Sequence, residues 1–420
     1  MMCTFGFRWC WFGFLVWLTA VSAVRSEVAW TEFRGPTGQG IAKSQNLPTS
    51  WSDSENVAWK VDVPGLGWSS PVYANGIIWL TSAVDDGKSL RLLGYRLEDG
   101  QQVHDIEVFA NSEPKSIHKK NSHASPTPVI DQGRIFVHFG TYGTACVTTD
   151  GKIQWKTKFD YEPMHGPGGS PIVYQNLLIL ACDGTDVQFV VAVDKRTGKE
   201  VWRTKRTHAS EERLSGAKMP PMAFSTPLLI QQDGVPQVIS AGGDHVAAYH
   251  AETGQEIWFS RYDGYSVVPR PVIGKGHVFV SSSYDGPVFY AIRLGGQGDV
   301  TDSHVAWTLE KGAPHNPSAI VVGNEVYVVN DKGIATCLDI ASGKEHWQKR
   351  LGGNFSASPL YADGKLYFLN EEGETTILRP GTTYDEIAKP SLNERTLASI
   401  APLDGGLLIR GETHLFRIGK

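Results

Sequence analysis

Side chains that could bind a ligand recur in this sequence in the segments that lead into short apolar strands. The segment 117–123 carries two histidines and two lysines, and the segment 265–270 joins a tyrosine to an arginine. Loops held by a rigid scaffold are where binding residues concentrate. The candidate ligand-binding residues are Trp68, His118, Lys120, Asn121, His123, His165, Tyr265, Arg270, His315, Asn354 and Arg395.

These residue types indicate the chemistry of the ligand. Histidine, lysine and arginine bind anions through charge-assisted hydrogen bonds, so the set favours a small ligand carrying a carboxylate, a phosphate or an acidic glycan. Four of the histidines could instead gather a transition metal. No His-x₃-His or His-Glu-x-x-His spacing supports that alternative. For each residue taken singly, the other interpretation is a polar side chain that caps a strand end and contacts water.

The sequence contains no specific catalytic motif. It has no Gly-x-Ser-x-Gly elbow, no Walker loop and no dinucleotide fingerprint opening a helix. The glycine-rich segment 166–169 precedes a predicted strand, so it predicts a turn and not a phosphate loop. Segments 183–186 and 299–304 offer oxygen ligands for a hard cation, but neither has the spacing of a defined loop. No catalytic residue and no metal ligand is predicted.

An internal repeat predicts the elements that position these residues. The phrase Ala192–Trp202 returns as 248–258 and as 337–347, with a shorter copy at 150–155. Repeats of about 40–50 residues are typical of solenoids and propellers. A tryptophan on the outermost strand of each unit would fill the wedge between neighbouring units while its N–H finds a partner. The repeat positions are Trp59, Trp155, Trp202, Trp258, Trp307, Trp347, Gly198, Gly254 and Gly343.

A second pattern gives the number of units. Upstream of each turn, a Ser-x-Pro or related sequence begins a strand, and a second apolar strand follows after a Gly, Asn or Asp turn. These starting points are Pro71, Pro128, Pro171, Pro227, Pro271, Ala319, Pro359 and Ala401. Eight such units predict an all-β fold, an eight-bladed β-propeller of four-stranded antiparallel blades.

The last blade is predicted to be closed by the N-terminal strand. Residues 56–61 resemble the outer strand at 304–309 but have no unit before them, while the C-terminal unit offers only three strands. Pairing them would remove a free edge. His104 replaces the tryptophan of the first unit, and the seventh unit has no tryptophan near 386–389. Those two blades are therefore predicted to pack differently.

The N-terminus predicts export. Arg8 precedes an apolar run over 9–21 and small residues follow at 21–23, which together are typical of a secretory signal peptide over 1–23. The run is shorter than the roughly 20 apolar residues that span a bilayer. An uncleaved membrane anchor is the alternative. We expect an N-terminal extension at 24–56, one propeller at 57–420, a periplasmic or extracellular location, and no transmembrane domain after cleavage.

Charge and cysteine content limit the partners. The net charge is −5 and no run of basic residues occurs, which argues against nucleic acid as a partner. Cys146, Cys182 and Cys337 would remain after cleavage, an odd number without metal-site spacing. Free thiols buried in strands are the simpler expectation, and one disulfide is the alternative.

The repeat Ala-x-Asp-x-x-Thr-Gly-x-x-x-Trp at 192–202 resembles the pyrroloquinoline quinone (PQQ) repeat. That repeat builds the eight-bladed propellers of quinoprotein alcohol dehydrogenases and of the outer-membrane assembly lipoprotein of the BAM complex. The opening Trp30–Pro36 is similar to the start of secreted bacterial PQQ-like repeat proteins. The resemblance covers nearly all of the chain after residue 23 and is specific for the fold.

The resemblance implies two functions of different classes. Quinoprotein dehydrogenases hold PQQ with Ca²⁺ or a lanthanide, a catalytic Asp, a flat Trp and often a vicinal disulfide. This sequence has no Cys-Cys pair and no motif that identifies the Asp. It also lacks a lipobox before Cys10. The sequence therefore favours a non-catalytic binding or scaffold propeller of the cell envelope without a cofactor, whose partner is an envelope protein or a small anionic ligand. A divergent dehydrogenase using PQQ with Ca²⁺ is the alternative.

Overall fold

Eight antiparallel sheets are arranged as the blades of a propeller in the computed structural model, which describes residues 1–4, 6, 29–284 and 286–419. The predicted signal peptide falls almost wholly outside these residues. Blade 1 contains the strands Val72–Ala74, Ile77–Val84, Ser89–Arg96 and Gln102–Ala110, and blade 2 contains Val129–Asp131, Arg134–His138, Thr144–Thr148 and Ile153–Thr157. Blade 3 contains Ile172–Tyr174, Leu177–Asp183, Gln188–Asp194 and Glu200–Lys205, and blade 4 contains Leu228–Gln232, Val235–Ala241, His245–His250 and Glu256–Arg261.

The remaining strands complete the ring and confirm the predicted fold class. Blade 5 contains Val272–Gly274, His277–Ser281, Phe289–Arg293 and Val305–Leu309, and blade 6 contains Ile320–Val322, Glu325–Val329, Ile334–Asp339 and Glu345–Arg350. Blade 7 contains Leu360–Ala362, Lys365–Leu369, Thr375–Arg379 and Asp385–Ala388, and blade 8 contains Ala401–Leu403, Gly406–Arg410, His414–Gly419 and Val57–Asp62. Blade 4 gains a fifth, parallel strand, Gly298–Asp299. The short helices are Glu211–Leu214 and Thr301–His304, with 3₁₀ turns at Asp85–Gly87 and Gly140–Tyr142.

The last blade is closed by the N-terminal strand, as predicted. Val57–Asp62 pairs antiparallel with His414–Gly419, and Asp62 lies opposite His414. Both ends of the propeller are thus held in one sheet, and Val57–Asp62 covers the edge of His414–Gly419 that would otherwise be free for pairing with another chain.

The hairpins between the first two strands of the blades use residues that accept positive φ. Asn75 and Gly76 have φ values of 53° and 76°, and Asp363 and Gly364 have 52° and 69°. Two successive positive φ values match the twist of two-residue hairpins. Apolar side chains between adjacent blades then form separate cores; Leu92, Val108 and Ile135 are fully buried in the core between blades 1 and 2.

The repeated Gly and Trp of neighbouring blades contact each other. Gly198 has a φ of 71°, and a Cβ atom added there would lie 2.6 Å from the Trp155 ring of the preceding blade. The Trp155 indole donates to the Lys195 carbonyl at 3.1 Å. Gly343 and Trp307 repeat the arrangement. The Thr-Gly turn of one blade is therefore the surface on which the preceding blade's tryptophan packs.

Three blades depart from this Gly–Trp contact because one of the two residues is missing. After Trp258 the next blade has an insertion in place of the Thr-Gly turn, and the buried Trp258 indole nitrogen has no hydrogen-bond partner among the described residues. His104 occupies the tryptophan position of blade 1 and stacks on Trp79, with ring centroids 5.0 Å apart. In blade 7 the tryptophan position is taken by Ala388, which pairs with Ile377 as Trp347 pairs with Cys337 in blade 6.

The cysteines of the blades are free thiols, and the described helices are short. Cys146, Cys182 and Cys337 are buried and free. Within the described ranges, no helix is long and apolar enough to cross a membrane.

Residues 29–48, here named the plug, close one end of the central channel. Trp30 pairs with Tyr73 in blade 1, Thr31 accepts a hydrogen bond from Ile130 in blade 2, and Gly40 accepts one from Tyr361 in blade 7. The plug thus satisfies backbone groups on inner strands of separate blades, which a loose extension would leave exposed to the channel.

Buried charges fix the plug. The Arg270 guanidinium donates to a Glu32 carboxylate oxygen at 3.2 Å, to the Phe33 carbonyl and to the Pro227 carbonyl at 3.1 Å. Arg34 donates to the carbonyls of Gln39 and Ala319, each at 2.7 Å. Burial raises the pKa of Glu32, while the charge of Arg270 acts in the opposite direction. The plug is therefore held by arginines taken out of water.

We expect Gly198→Ala to destabilise the propeller more than Gly276→Ala. Both glycines have positive φ, which costs an alanine roughly 1–2 kcal/mol, but only Gly198 faces a tryptophan, which adds roughly 1–3 kcal/mol of overpacking. Urea unfolding of both variants measures the difference in free energy of unfolding. Equal losses in the two variants would contradict the packing role of Trp155.

Removing the Arg270 side chain should release the plug. Arg270→Met leaves Glu32 buried without its cation, for which a loss of roughly 3–5 kcal/mol is expected. The exposed pair Arg96–Asp99 supplies the control Arg96→Met, with an expected loss of about 0–1 kcal/mol. Denaturant unfolding and tryptic cleavage at Lys43 report the effect. Cleavage of Arg270→Met no faster than that of the control would show that Arg270 does not hold the plug.

Candidate functional site

A cavity of about 390 Å³ lies in the channel above the plug and is here named the cup. Its lining comes from the segments that begin the inner strands of all eight blades, together with Phe33 of the plug. The plug therefore converts the channel into a cup with one open end. This volume is within the range of small-molecule sites.

Aromatic rings form much of the cup wall. Trp68, Phe224, Tyr265 and Tyr284 line it together with Phe33. Two of these rings pack against cations: the Arg213 guanidinium lies 5.2 Å from the Tyr265 ring centroid, and the Arg395 guanidinium lies 5.3 Å from that of Trp68. Such rings offer flat, apolar contact area to a ligand. The buried indole nitrogen of Trp68 has no hydrogen-bond partner within the described chain.

A ring of hydroxyl groups encircles the cup where the inner strands begin. Each hydroxyl oxygen accepts a hydrogen bond of 2.9–3.1 Å from the backbone N–H of the corresponding residue in the preceding blade. Arg270 occupies the eighth position and has no hydroxyl to offer. The residues of this hydroxyl ring are Ser70, Thr127, Ser170, Thr226, Ser318, Ser358 and Ser399, all buried and all lining the cup.

Residues 111–125, here named the strap, reach across the mouth of the cup. The strap leaves blade 1, and its Lys120 forms a 2.7 Å ion pair with Glu371 of blade 7. Asn121 of the strap donates to the His165 carbonyl at 2.7 Å, and the rings of His118 and His165 meet edge to face at 5.6 Å. The strap therefore joins opposite sides of the mouth.

The charge of the mouth is largely compensated. Lys120 is paired with Glu371, which also accepts a hydrogen bond from Ser356 at 2.6 Å. Burial, and secondarily the neighbouring His118, lowers the pKa of His165, which favours its neutral form. None of the described lining residues is a carboxylate or a thiol. The cup is thus a site of aromatic, hydroxyl and amide groups more than of free charge.

The structure brings six of the eleven candidate residues together in the cup. These are Trp68, His118, Lys120, Asn121, His165 and Tyr265. Two others support lining residues from outside: His315 lies against the Tyr284 ring at 4.8 Å, and Arg395 lies over Trp68 while paired with Glu412 at 3.0 Å.

The other three candidates do not line the cup. The Arg270 side chain points into the plug, where its guanidinium pairs with the Glu32 carboxylate at 3.2 Å. His123 packs against Tyr142 with ring centroids 5.6 Å apart, and burial lowers its pKa. Asn354 is exposed and accepts a hydrogen bond from the Glu371 backbone. Their positions in the sequence suggested a shared level on the face, but none of the three lines the cup.

Sequence reasoning missed most of the cup lining. Phe33 lies outside the repeats, and Tyr284 stands in a connection without a repeat. Phe224 has the position before Pro227 that Trp68 has before Pro71, but it was not singled out. The hydroxyl ring did leave a signal, because a Ser or Thr directly precedes Pro71, Pro128, Pro171, Pro227 and Pro359.

The residues present do not fit a metal–quinone centre. No group of three or more His, Cys, Asp or Glu that could hold a metal occurs in the described part of the chain. The two acidic segments considered from sequence have internal partners: Asp183 is paired with buried Arg206 at 2.8 Å, and Asp299 accepts from Thr301 at 2.6 Å and pairs with Arg261.

Known structures share the fold. BamB from Moraxella catarrhalis matches with a TM-score of 0.61 and 11% identity, covering 87% of this chain and 97% of its own. Quinohemoprotein alcohol dehydrogenase from Comamonas testosteroni matches with 0.67 and 10%, covering 93% and 80%. A europium-containing methanol dehydrogenase matches with 0.65 and 10%, covering 93% and 98%. At these identities the likeness is one of fold. Among curated proteins, none matches the sequence significantly.

A family model also matches the sequence itself. The match covers residues 111–296 and 299–382, which is more than half of the chain; it begins directly after the last strand of blade 1 and ends in blade 7. The chain therefore belongs to the PQQ_2 family, whose model is described as outer membrane protein assembly factor BamB.

Proposed function

We propose that this chain is a non-catalytic binding module of the cell envelope whose cup receives a small organic ligand with a flat, apolar body. The observation that carries the proposal is the closed floor of the cup. Because Phe33 of the plug lines it, the channel offers a pocket closed on the plug side in place of an open passage. A ligand entering it would lose most of its contact with water, as ligands in built sites do.

The character of the lining supports binding in preference to catalysis. Trp68, Phe224 and Tyr265 supply stacking surfaces, and Asn121 and Asn316 supply amide groups. A general base or a nucleophile in the cup would most simply be a carboxylate, a thiol or an activated histidine. The described lining contains neither of the first two, and the lowered pKa of His165 accompanies a contact with His118 and no carboxylate orienter.

The envelope location rests on two supports. The segment 1–23 has the composition of a secretory signal peptide. The family description refers to an outer membrane protein assembly factor, a function that belongs to the envelope. We therefore place the mature protein in the periplasm or outside the cell. An envelope protein that inserts a side chain into the cup is the form that a protein partner would take.

Small aromatic probes test this proposal on the mature protein. We expect calorimetric titration with benzamide to show binding that Phe224→Ala and Tyr265→Ala each weaken about tenfold, since each removes a stacking surface worth about 1.4 kcal/mol. Tyr174→Ala, in a hairpin of blade 3 outside the cup, is the matched control and should bind like the unaltered protein.

Two outcomes would contradict the proposal. The absence of heat with any aromatic probe, or equal weakening in Tyr174→Ala, would show that the cup is not the site. Titration with PQQ with and without Ca²⁺ belongs in the same series. Because the described lining contains no metal-binding cluster, added Ca²⁺ should leave any affinity for PQQ unchanged. Metal-dependent binding would favour the dehydrogenase function instead.

A further inference from the structure

The hydroxyl ring has unused hydrogen-bonding capacity. Each of its seven oxygens already accepts one backbone N–H, but no residue of the described chain accepts the hydrogen of any of these hydroxyls. Their residues are at most 7% exposed. Because buried polar groups are normally satisfied, seven O–H donors lining one cavity call for an acceptor inside it.

Buried cations surround the same ring. Arg270 occupies its eighth position, Arg34 donates to the carbonyl next to Ser318, and Arg410 donates to the Ser69 carbonyl and hydroxyl next to Ser70. Glu32 is the one carboxylate paired with any of the three in the described chain. Three guanidinium groups and one carboxylate leave a net positive charge beside the ring, although none of the three guanidinium groups lines the cup itself.

Two of these cations also keep unused donors. Arg34 Nε and Nη1 and Arg410 Nε and Nη2 are buried without hydrogen-bond partners among the described residues. Burial lowers the pKa of Arg34 and of Arg410 to about 9, so both remain cationic at neutral pH. A negative charge inside the ring would offset the electrostatic cost of burying these groups.

Two carboxylates that contact lining residues do not supply that charge. Glu371 is neutralised by Lys120 at the mouth. Asp331 accepts hydrogen bonds from the backbone of His315 and Asn316, and burial raises its pKa. Neither carboxylate lines the cup.

We propose that the hydroxyl ring is an anion subsite at the base of the cup and that it holds the carboxylate or phosphate head of the ligand whose flat body stacks on the aromatic wall. This inference rests on the proposed function and defines the ligand class: a small amphipathic anion. Because each ring oxygen already accepts a backbone N–H, its O–H hydrogen is the group left to donate to such a head.

Three matched probes test the subsite on the full-length mature protein: benzamide, benzoate and phenyl phosphate. We expect one or both anions to bind at least tenfold more tightly than neutral benzamide. The arm with the higher affinity distinguishes a carboxylate head from a phosphate head. Inorganic phosphate should compete with the anionic probes but not with benzamide.

Variants of one ring residue separate binding from folding. Thr226→Val should remove most of the preference for the anions while changing benzamide affinity less than threefold, and Thr226→Ser should restore the preference. Ser225→Ala is the matched control, because the Ser225 hydroxyl is equally buried but donates to the Pro269 carbonyl away from the cup.

The failures are distinguishable. If benzamide and benzoate bind equally, the anion subsite is wrong while the proposed binding function stands. If Thr226→Val weakens all three probes alike, the hydroxyl has only a structural role and the subsite is again wrong. If no probe binds, the proposed function itself fails.

Discussion

One hydrogen bond, repeated around the axis, underlies both the scaffold and the site. A backbone N–H at the start of each inner strand donates to a serine or threonine hydroxyl of the next blade, in seven of eight positions. The bond fixes the radius at which the inner strands begin. Because each hydroxyl uses an acceptor site for this purpose, its hydrogen is left for the channel, and the same contact that joins the blades also gives the cup its polar wall.

The plug depends on the exception in that ring. Arg270 stands where the other blades place a hydroxyl, and its side chain turns away from the cup to bind Glu32 and the Phe33 carbonyl. This places Phe33 at the base of the channel. The arginine that interrupts the hydroxyl ring thus helps to close the cup, and it places a buried cation at the level of the hydroxyls. The closure of the cup and the buried charge beside the ring therefore both involve this position.

The fold could be predicted from the sequence because its determinants are local. The Thr-Gly turn needs positive φ, and the tryptophan four residues later packs on the turn of the following blade, so both recur at fixed spacing. The cup could not be predicted in the same way. Phe33, Phe224 and Lys120 meet only after the ring has closed, and Arg270 resembled a ligand-binding cation because nothing nearby in sequence shows its pairing with Glu32. The serines of the ring are too common a residue type to stand out before their hydrogen bonds are known.

The most direct test of the account is anomalous diffraction from crystals of the mature protein grown in bromide. The account predicts a bromide peak inside the cup, within hydrogen-bonding distance of at least two hydroxyls of the ring, such as those of Ser170 and Thr226, and loss of that peak in Thr226→Val. Bromide peaks confined to the outer surface, with only water against the ring hydroxyls, would contradict it.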